Sequence, residues 1–431
     1  MLNNRLFIVL LVLVAGIASL SAQGTPYGRF GYGELSAPTF SPGRAMGGIG
    51  YGVRDSKMLN PMNPASYSAA DSLSFLFDVG AYINVAWFRD GENRATTFAG
   101  NIDFIGLKFR IVKGLGLSLG LTPVSSANYS FARSITDENG VSGKEENTGE
   151  GGFNKLYLGL GYNLFKNFSL GANVSYFFGN TIYKTTTTLN APNADGNYLF
   201  QKLNIKSVLA DFGAQYTLPL TKNNSLVFGV VYSPKMKLGA TYRSVKQVGK
   251  VVDPDDSVTV TNMGFDYPQT FGGGLTFVRR NKYMIGADAQ YQQWSNVRFY
   301  DDWENKANKL DKDPAVGASF RDRLRIALGG QYVPNATGRD YFGRVRYRMG
   351  AYYSNSYFRI NDGAGNLGGT KEFGISAGFG FPLLDNRSAL NVAFNYSKVL
   401  PERKSLIDEQ YFKITISYTM NEVWFKKIRL E

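Results

Sequence analysis

The sequence contains no cysteine and no histidine. Without histidine there is no base for a Ser-His-Asp or Cys-His nucleophile. Without cysteine there is no disulfide framework, no thiolate zinc site, no iron–sulfur cluster and no lipidated N-terminal cysteine. A lysine base or a carboxylate pair remains open, but no such constellation is visible. We therefore predict a protein that is not an enzyme and that needs no metal and no cofactor.

Long apolar runs are also scarce, apart from one at the N-terminus. Residues 1–22 contain one basic residue, Arg5, then an apolar run that ends in the small residues Ser19, Ser21 and Ala22. This order is typical of a secretory signal peptide cleaved before Gln23. The alternative is a membrane anchor, but the run is shorter than the ~20 residues of a membrane-spanning helix. We expect the mature protein to leave the cytoplasm.

Period-two alternation is the dominant pattern in the rest of the chain. It is clearest in residues 168–179, 388–398 and 411–420, where one face is large and apolar and the other is mostly Gly, Ser, Asn, Ala or Thr. The polar face of a soluble sandwich favours charge, whereas small polar residues suit a crowded lumen. Tyrosines end several apolar faces, as in an aromatic girdle. The sequence predicts an all-β fold, an antiparallel transmembrane β-barrel in the outer membrane of a Gram-negative bacterium.

Fourteen segments have the character of strands. They are 73–87, 95–112, 115–131, 153–163, 167–185, 197–218, 225–245, 268–280, 281–298, 321–333, 342–354, 370–382, 388–398 and 409–419. Connections after even-numbered strands are short, and most of those after odd-numbered strands are long. Short turns are periplasmic in outer-membrane barrels. An even number of strands then places both termini in the periplasm.

Four regions follow from this division. Residues 1–22 are the signal peptide, 23–72 precede the barrel, 73–420 form it and 421–431 form a periplasmic tail. The segment 23–72 is rich in Gly, Pro and Ser and shows little alternation. It is either a flexible arm or a plug inside the barrel. The plug is favoured because a solvated linker would lack its many apolar and aromatic residues.

Three short motifs carry a resemblance to a known family. Asn63-Pro64-Ala65 directly precedes the first strand, Thr122-Pro123-Val124 places a proline inside strand three, and Tyr267-Pro268 opens strand eight. With the glycine-rich hatch and fourteen strands, the chain resembles the FadL/TodX family of outer-membrane transporters. The resemblance implies passive uptake of fatty-acid-like or other small hydrophobic molecules. It also implies a hatch that moves and a lateral gap beside strand three.

Pro123 has a physical consequence of its own. Proline cannot donate to a ladder and is confined to strand edges and bulges. In a closed barrel it predicts a kink and a gap beside strand three, unless it lies harmlessly near the strand end. The resemblance implies that apolar ligands pass sideways through such a gap into the membrane.

Charged residues give weaker signals. Arg321, Arg323 and Arg325 alternate on predicted strand ten and share one face, which we assign to the lumen. They either line an anion path or pair with acids of the N-terminal segment, Glu34, Asp55 and Asp71. Acidic clusters at 253–256 and 301–302 suit solvated turns better than calcium sites. The net charge of +13 suits lipopolysaccharide phosphates and not nucleic acid, because the chain is exported.

The tail 421–431 follows a strand that already completes the barrel. Trp424 and Phe425 lie in it between charged residues. They either seal the periplasmic mouth or dock a protein partner. Two functions remain: uptake of hydrophobic molecules, and an accessory barrel subunit of an outer-membrane secretion or assembly complex. A plain diffusion porin is disfavoured by the expected plug.

Overall fold

The computed structural model describes residues 24–37, 39–72, 74–136, 140–191, 196–248, 251–261, 264–299, 320–361, 366–383 and 387–423. Fourteen long strands dominate it. They are β1 (Ser74–Asp90), β2 (Asn93–Val112), β3 (Leu115–Ser126), β4 (Ser142–Phe165), β5 (Phe168–Leu189), β6 (Asn197–Pro219), β7 (Asn224–Ser233), β8 (Thr270–Arg279), β9 (Tyr283–Gln292), β10 (Arg323–Tyr332), β11 (Arg346–Asn355), β12 (Thr370–Pro382), β13 (Ala389–Pro401) and β14 (Asp408–Val423).

Each strand pairs antiparallel with the next, and β1 pairs with β14 from Ser74↔Val423 to Arg89↔Asp408. The sheet therefore closes on itself, and the predicted fourteen-stranded antiparallel barrel is confirmed. Three further strands lengthen the wall on the long-loop side. Tyr129–Thr136 pairs with β4, Ala240–Val248 pairs with β6, and Val251–Thr261 pairs with Ala240–Val248.

The remaining elements are short. The two-residue strands are Glu34–Leu35, Met236–Lys237, Asp266–Tyr267, Ile360–Asn361 and Leu367–Gly368. The α-helices are α1 (Ser41–Arg44) and α2 (Tyr341–Arg344), and the 3₁₀-helices are Pro26–Arg29, Pro64–Ala69 and Trp294–Asn296. Among the described residues, no helix is long and apolar enough to span a membrane.

Alternation along the strands separates two surfaces. On β4 the outward side chains of Leu156, Leu158 and Leu160 are exposed, while Tyr157 between them is buried inside. On β13 the inward residues include Asn391 and Ser397, which are buried. The large apolar faces therefore point outward and the small polar faces point into the lumen, as the sequence predicts.

The last strand is longer than predicted. β14 continues to Val423, and Asn421 and Val423 pair with Leu76 and Ser74 of β1. Residues 421–423, which the sequence analysis assigned to the tail, thus belong to the barrel, because β1 begins at Ser74 and offers them a partner strand. Trp424 and Phe425 lie outside the described residues.

The N-terminal segment lies against the lumenal wall. It packs on glycines that are paired in register across four strands: Gly116, Gly161, Gly171 and Gly213. A Cβ atom on Gly171 would lie 2.3 Å from the carbonyl carbon of Pro64, and one on Gly116 would lie 1.9 Å from the carbonyl oxygen of Tyr67. The absence of side chains in this row lets the backbone of the segment approach the wall directly.

Candidate functional site

The ladder between β2 and β3 stops halfway. It joins residues 105–112 of β2 to residues 115–121 of β3, and ends at the pair Ile105↔Leu121. Beyond that pair β3 continues to pair with β4 on its other side, with Pro123 opposite Asn154 and a register shift before Ser125. The interruption starts within two residues of Pro123, where a ladder cannot use a missing N–H. Direct pairing between β2 and β3 is therefore missing on the long-loop half of this interface, and we call this break in the ladder the gap.

Residues 34–37, which we call the strap, cover the free edge of β3 at this gap. Glu34 and Leu35 pair antiparallel with Ser126 and Ser125. The Ser36 N–H donates to the Val124 carbonyl at 2.8 Å. The strap thus supplies β3 with a short strand in place of β2.

The gap opens toward an apolar outer surface. On the β1–β2 side of the gap, Phe98 is 63% exposed, and Ile83 and Trp87 are also exposed. On β3, Leu119 and Leu121 are exposed just below the gap. Because such side chains belong to the lipid-facing band of a barrel, the gap faces hydrocarbon.

Behind the gap lies a cavity of about 260 Å³. Leu35 and Ser36 of the strap, Ala99 of β2 and Ser126 of β3 line it on the gap side. Elsewhere polar side chains share its wall with Phe358 and Val399. The charged and tyrosine side chains in it are Tyr27, Glu34, Arg44, Tyr82, Arg323, Arg325, Tyr352, Tyr357, Glu372, Glu409, Tyr411 and Lys413.

One buried charge network fixes part of this wall. Asp103 of β2 accepts hydrogen bonds from Arg44 Nη2 of α1 at 3.0 Å and from Lys413 Nζ of β14 at 3.2 Å. Lys413 also lies over the ring of Tyr82, at 3.6 Å from its centroid. Removing the Asp103 carboxylate would leave the cations of Arg44 and Lys413 close together without their acidic partner. The network connects α1 of the N-terminal segment to β2 and β14, which are the two neighbours of β1.

Acidic side chains gather at the same cavity. Glu409 accepts hydrogen bonds from Thr25 and, at 2.7 Å, from the hydroxyl of Tyr411. The Glu34 side chain is accessible from the cavity, but the surrounding barrel wall and N-terminal segment keep it away from bulk water. That enclosure, followed by repulsion from Glu372, raises the pKa of Glu34 to about 7. The strap therefore carries a carboxyl group that titrates near neutrality.

On the long-loop side of the cavity, aromatic packing fills the lumen. Tyr27 and Tyr32 of the N-terminal segment belong to one buried cluster with Trp294, Phe320 and Tyr357. The ring centroids of Trp294 and Tyr357 are 4.3 Å apart. The Tyr357 hydroxyl donates to the Gly33 carbonyl at 2.7 Å and accepts from the Tyr32 N–H at 2.9 Å. This cluster separates the cavity from the long-loop end of the barrel.

On the short-turn side, polar contacts hold the N-terminal segment to the wall. Arg54 donates to Ser169, Gln215 and Asn163 of the barrel at 2.9, 3.2 and 2.8 Å. Asp288 accepts from the N–H groups of Gly50 and Tyr51 at 2.5 and 2.8 Å. Burial lowers the pKa of Arg54 to about 10, so it stays charged at neutral pH. These contacts anchor residues 41–70 far more firmly than the strap.

The predicted motif Asn63-Pro64-Ala65 lies within this anchored part. Asn63 caps the 3₁₀-helix Pro64–Ala69 by accepting from the Ala65 N–H at 3.1 Å. Its amide donates to the carbonyls of Tyr51 and, on β6, Ala214. The side chain is fully buried. The motif therefore joins two parts of the segment to the wall.

The three predicted arginines separate. Arg321 precedes β10 and does not face the lumen with the others, because loop packing holds it: it donates to Glu402 at 2.8 Å and to the Thr370 carbonyl at 2.9 Å. Arg323 and Arg325 line the cavity. Arg325 donates to the Gly47 carbonyl at 2.7 Å, so the N-terminal segment offers it backbone oxygen and not an acid. Within the described residues neither forms the expected ion pair with Glu34, Asp55 or Asp71.

Several residues of the site gave no separate signal in the sequence. Period-two alternation assigns Glu409 and Lys413 to the inward face of β14, but nothing in the sequence distinguishes them there as residues of a site. The strap has no such signal, because a two-residue strand is too short to show alternation.

The fold is shared with solved structures of a channel and a transporter. The structure is similar to the CymD monoaromatic hydrocarbon channel, with a TM-score of 0.55 and 16% identity over 90% of this chain and 99% of that one. It is similar to the Ralstonia pickettii toluene transporter TbuX (0.55, 15%, 90% and 100%) and to a Pseudomonas aeruginosa FadL homologue (0.53, 15%, 91% and 100%). The predicted FadL/TodX-like fold is thus confirmed. Among curated proteins, none matches this sequence. A family model for BamG matches residues 1–431, and the chain therefore belongs to the BamG family.

Proposed function

We propose that this protein is an outer-membrane barrel for the passive uptake of small hydrophobic molecules. The observation that carries the proposal is the end of the β2–β3 ladder at Leu121, beside Pro123 and in front of a cavity. The similar solved structures include a hydrocarbon channel and a toluene transporter. In this proposal both termini are periplasmic, and no cofactor and no catalytic residue takes part.

The route follows from where the lumen is filled. An aromatic cluster fills the long-loop side, and residues 41–70 act as a plug on the short-turn side. A hydrophobic ligand would exchange between the cavity and the bilayer through the gap, with the strap as the movable element. Passage to the periplasm additionally requires the plug to shift. No step requires bond making or breaking, so binding and diffusion suffice.

A disulfide lock tests the route directly, because the chain contains no other cysteine. Leu35 lies opposite Ser125, and the flanking Ser36–Val124 hydrogen bond makes this a close, non-hydrogen-bonded pair. We expect the variant Leu35→Cys/Ser125→Cys to take up toluene normally when reduced and at least about tenfold more slowly when oxidised, since the bridge fixes the strap. The measurement is uptake of radiolabelled toluene by cells, with and without reductant.

A matched pair controls for oxidation itself. Thr136 lies opposite Ser142 across the neighbouring hairpin, and oxidising Thr136→Cys/Ser142→Cys should leave uptake unchanged. Equal uptake by the oxidised and reduced strap variant would remove the strap from the route.

Deleting residues 23–71 tests the plug. The wall contacts of Arg54 and Asn63 support a plug inside the barrel, so its loss should open a water-filled lumen. We expect higher conductance in planar bilayers and greater sensitivity to large antibiotics. Unchanged conductance would show that the segment does not close the barrel.

The BamG family match favours a second candidate, an accessory barrel subunit of an outer-membrane assembly complex. The C-terminal Trp424 and Phe425 would dock the partner, since buried aromatics are frequent hot spots worth about 2 kcal/mol or more. The double variant Trp424→Ala/Phe425→Ala, copurified from native membranes, tests it. A stoichiometric partner that disappears in the variant would place assembly before uptake. An unchanged set of partners would leave uptake as the function.

A further inference from the structure

Basic residues ring the short-turn end of the barrel. Each of the six turns that join an even-numbered strand to the next carries at least one: Lys113, Lys166, Lys222, Arg280 with Lys282, Arg339 with Arg344, and Arg387. The acids in these turns are Asp340 and Asp385. Asp340 is already engaged, because its carboxylate accepts from the Gly343 N–H at 2.6 Å. We call this set of basic residues the short-turn rim.

The bases of the rim stand next to exposed apolar side chains. Lys113 follows Val112, which is 57% exposed, and Lys166 follows Phe165, which is 68% exposed. Lys222 follows the exposed Leu220 by two residues. Such large apolar groups at the end of a lipid-facing wall belong in the bilayer interface. The neighbouring ammonium groups then lie at the depth of the lipid headgroups, where long basic side chains place their charge.

The longest of the six turns shows the same pairing in an ordered form. Helix α2 (Tyr341–Arg344) presents Phe342, 68% exposed, and Tyr341, also exposed. The guanidinium of Arg344 lies 5.7 Å from the centre of the Tyr341 ring. An aromatic pair beside basic residues is the composition of an interfacial anchor.

We propose that the short-turn rim binds the phosphates of anionic phospholipids in the leaflet that faces it. The distribution of charge favours lipid as the occupant, because the bases are spread over all six turns, as an anionic surface around the barrel requires. In four of the turns a base also lies near an exposed apolar side chain. In the orientation proposed above, this is the inner leaflet of phospholipids and not the outer leaflet of lipopolysaccharide. The inference uses only the position of the barrel in a bilayer and not the uptake route.

Lipid retention by the purified full-length protein tests the proposal. The protein is equilibrated in mixed micelles with equal amounts of phosphatidylglycerol and phosphatidylcholine, and retained lipid is quantified by mass spectrometry. We expect the wild type to retain phosphatidylglycerol preferentially. The ratio of retained phosphatidylglycerol to retained phosphatidylcholine should fall about tenfold in the variant Lys113→Gln/Lys166→Gln/Lys222→Gln/Arg280→Gln/Lys282→Gln.

A charge-matched control removes five exposed bases from the opposite end: Arg94→Gln/Lys206→Gln/Lys237→Gln/Arg403→Gln/Lys404→Gln. It should retain the wild-type preference, which separates the rim from net charge. Inorganic phosphate, compared with chloride at equal ionic strength, should not displace the lipid beyond the screening effect. Equal loss in both variants, or no preference in the wild type, would overturn the proposal. So would specific displacement by phosphate, which would indicate a general anion site.

Uptake assays on the same two variants keep this inference apart from the proposed function. Preferential retention of phosphatidylglycerol together with failed toluene uptake would contradict the uptake function and leave the rim proposal standing. Absence of preferential retention together with normal uptake would contradict the rim proposal alone.

Discussion

The barrel has two seams that differ in how completely they are paired. At the closing seam, β1 and β14 pair continuously from Ser74↔Val423 to Arg89↔Asp408. At the β2–β3 seam, pairing stops at Ile105↔Leu121, although both strands continue on the same side. The comparison teaches that closure of a barrel does not require every neighbouring pair of strands to be complete. An incomplete seam persists where another segment, here the strap, satisfies the free edge.

A proline placed in the closing seam should have the largest effect. Ile416 of β14 pairs with Ala81 on one side and Val392 on the other. Ile416→Pro removes a ladder N–H where no strap can replace it, and should cost about 3 kcal/mol or more. Denaturant unfolding and the heat-dependent gel mobility of the barrel measure it. Ile416→Ala, which loses only a lipid-facing side chain, serves as the control. A folded proline variant of unchanged stability would erase the difference between the seams.

Substitutions in the glycine row that the N-terminal segment packs against should lower the stability nearly as much. A Cβ on Gly171 would lie 2.3 Å from Pro64, whereas one on the outward-facing Gly273 would meet nothing within 4 Å. We expect Gly171→Ala to lower the free energy of unfolding by about 2 kcal/mol through overpacking. Gly273→Ala should change it by less than about 0.5 kcal/mol. Thermal unfolding of both variants in detergent measures the difference. Equal stability would show that the N-terminal segment does not pack tightly against Gly171.

Restoring an N–H inside the open seam should have a moderate effect on function. Pro123→Ala keeps the strand but permits a further ladder bond, so the gap should narrow. We expect toluene uptake to fall about two- to fivefold, with stability unchanged or slightly higher. Ser130, which is exposed in the strand Tyr129–Thr136 beyond the strap pairing, offers a site for comparison as Ser130→Ala. Undiminished uptake by the Pro123 variant would mean that the proline does not hold the seam open.

The smallest expected effect is on pH dependence. The pKa of Glu34 is raised to about 7 in the folded protein, by enclosure and then by Glu372. A raised carboxyl pKa favours the neutral form, so its contribution to stability is complete below about pH 4.5 and is lost as pH rises to about 7. Unfolding midpoints across this range should fall more steeply for the wild type than for Glu34→Gln. Parallel profiles would exclude the strap carboxyl as their source.

The sequence was most informative where one physical pattern repeats over many residues. Alternation on β5, β13 and β14 identified the lipid face and the lumen, because side chains of a strand point alternately to its two sides. Pro123 marked the strand that loses its neighbour. The arginines show the limit of the method: alternation placed Arg323 and Arg325 on one face, but wrongly extended the strand to Arg321, which loop packing holds to Glu402.

By itself, the sequence determined the class of fold, the approximate count of strands and the difference between the two ends of the barrel. These properties depend on local periodicity and on turn length, which a single chain displays directly. Only the tertiary structure decided that the strap pairs with Ser125 and Ser126, and that Glu34, Glu409 and Lys413 meet at one cavity. These contacts join residues that are far apart in the chain. Their partners are fixed by barrel closure and strand register, which no local pattern encodes.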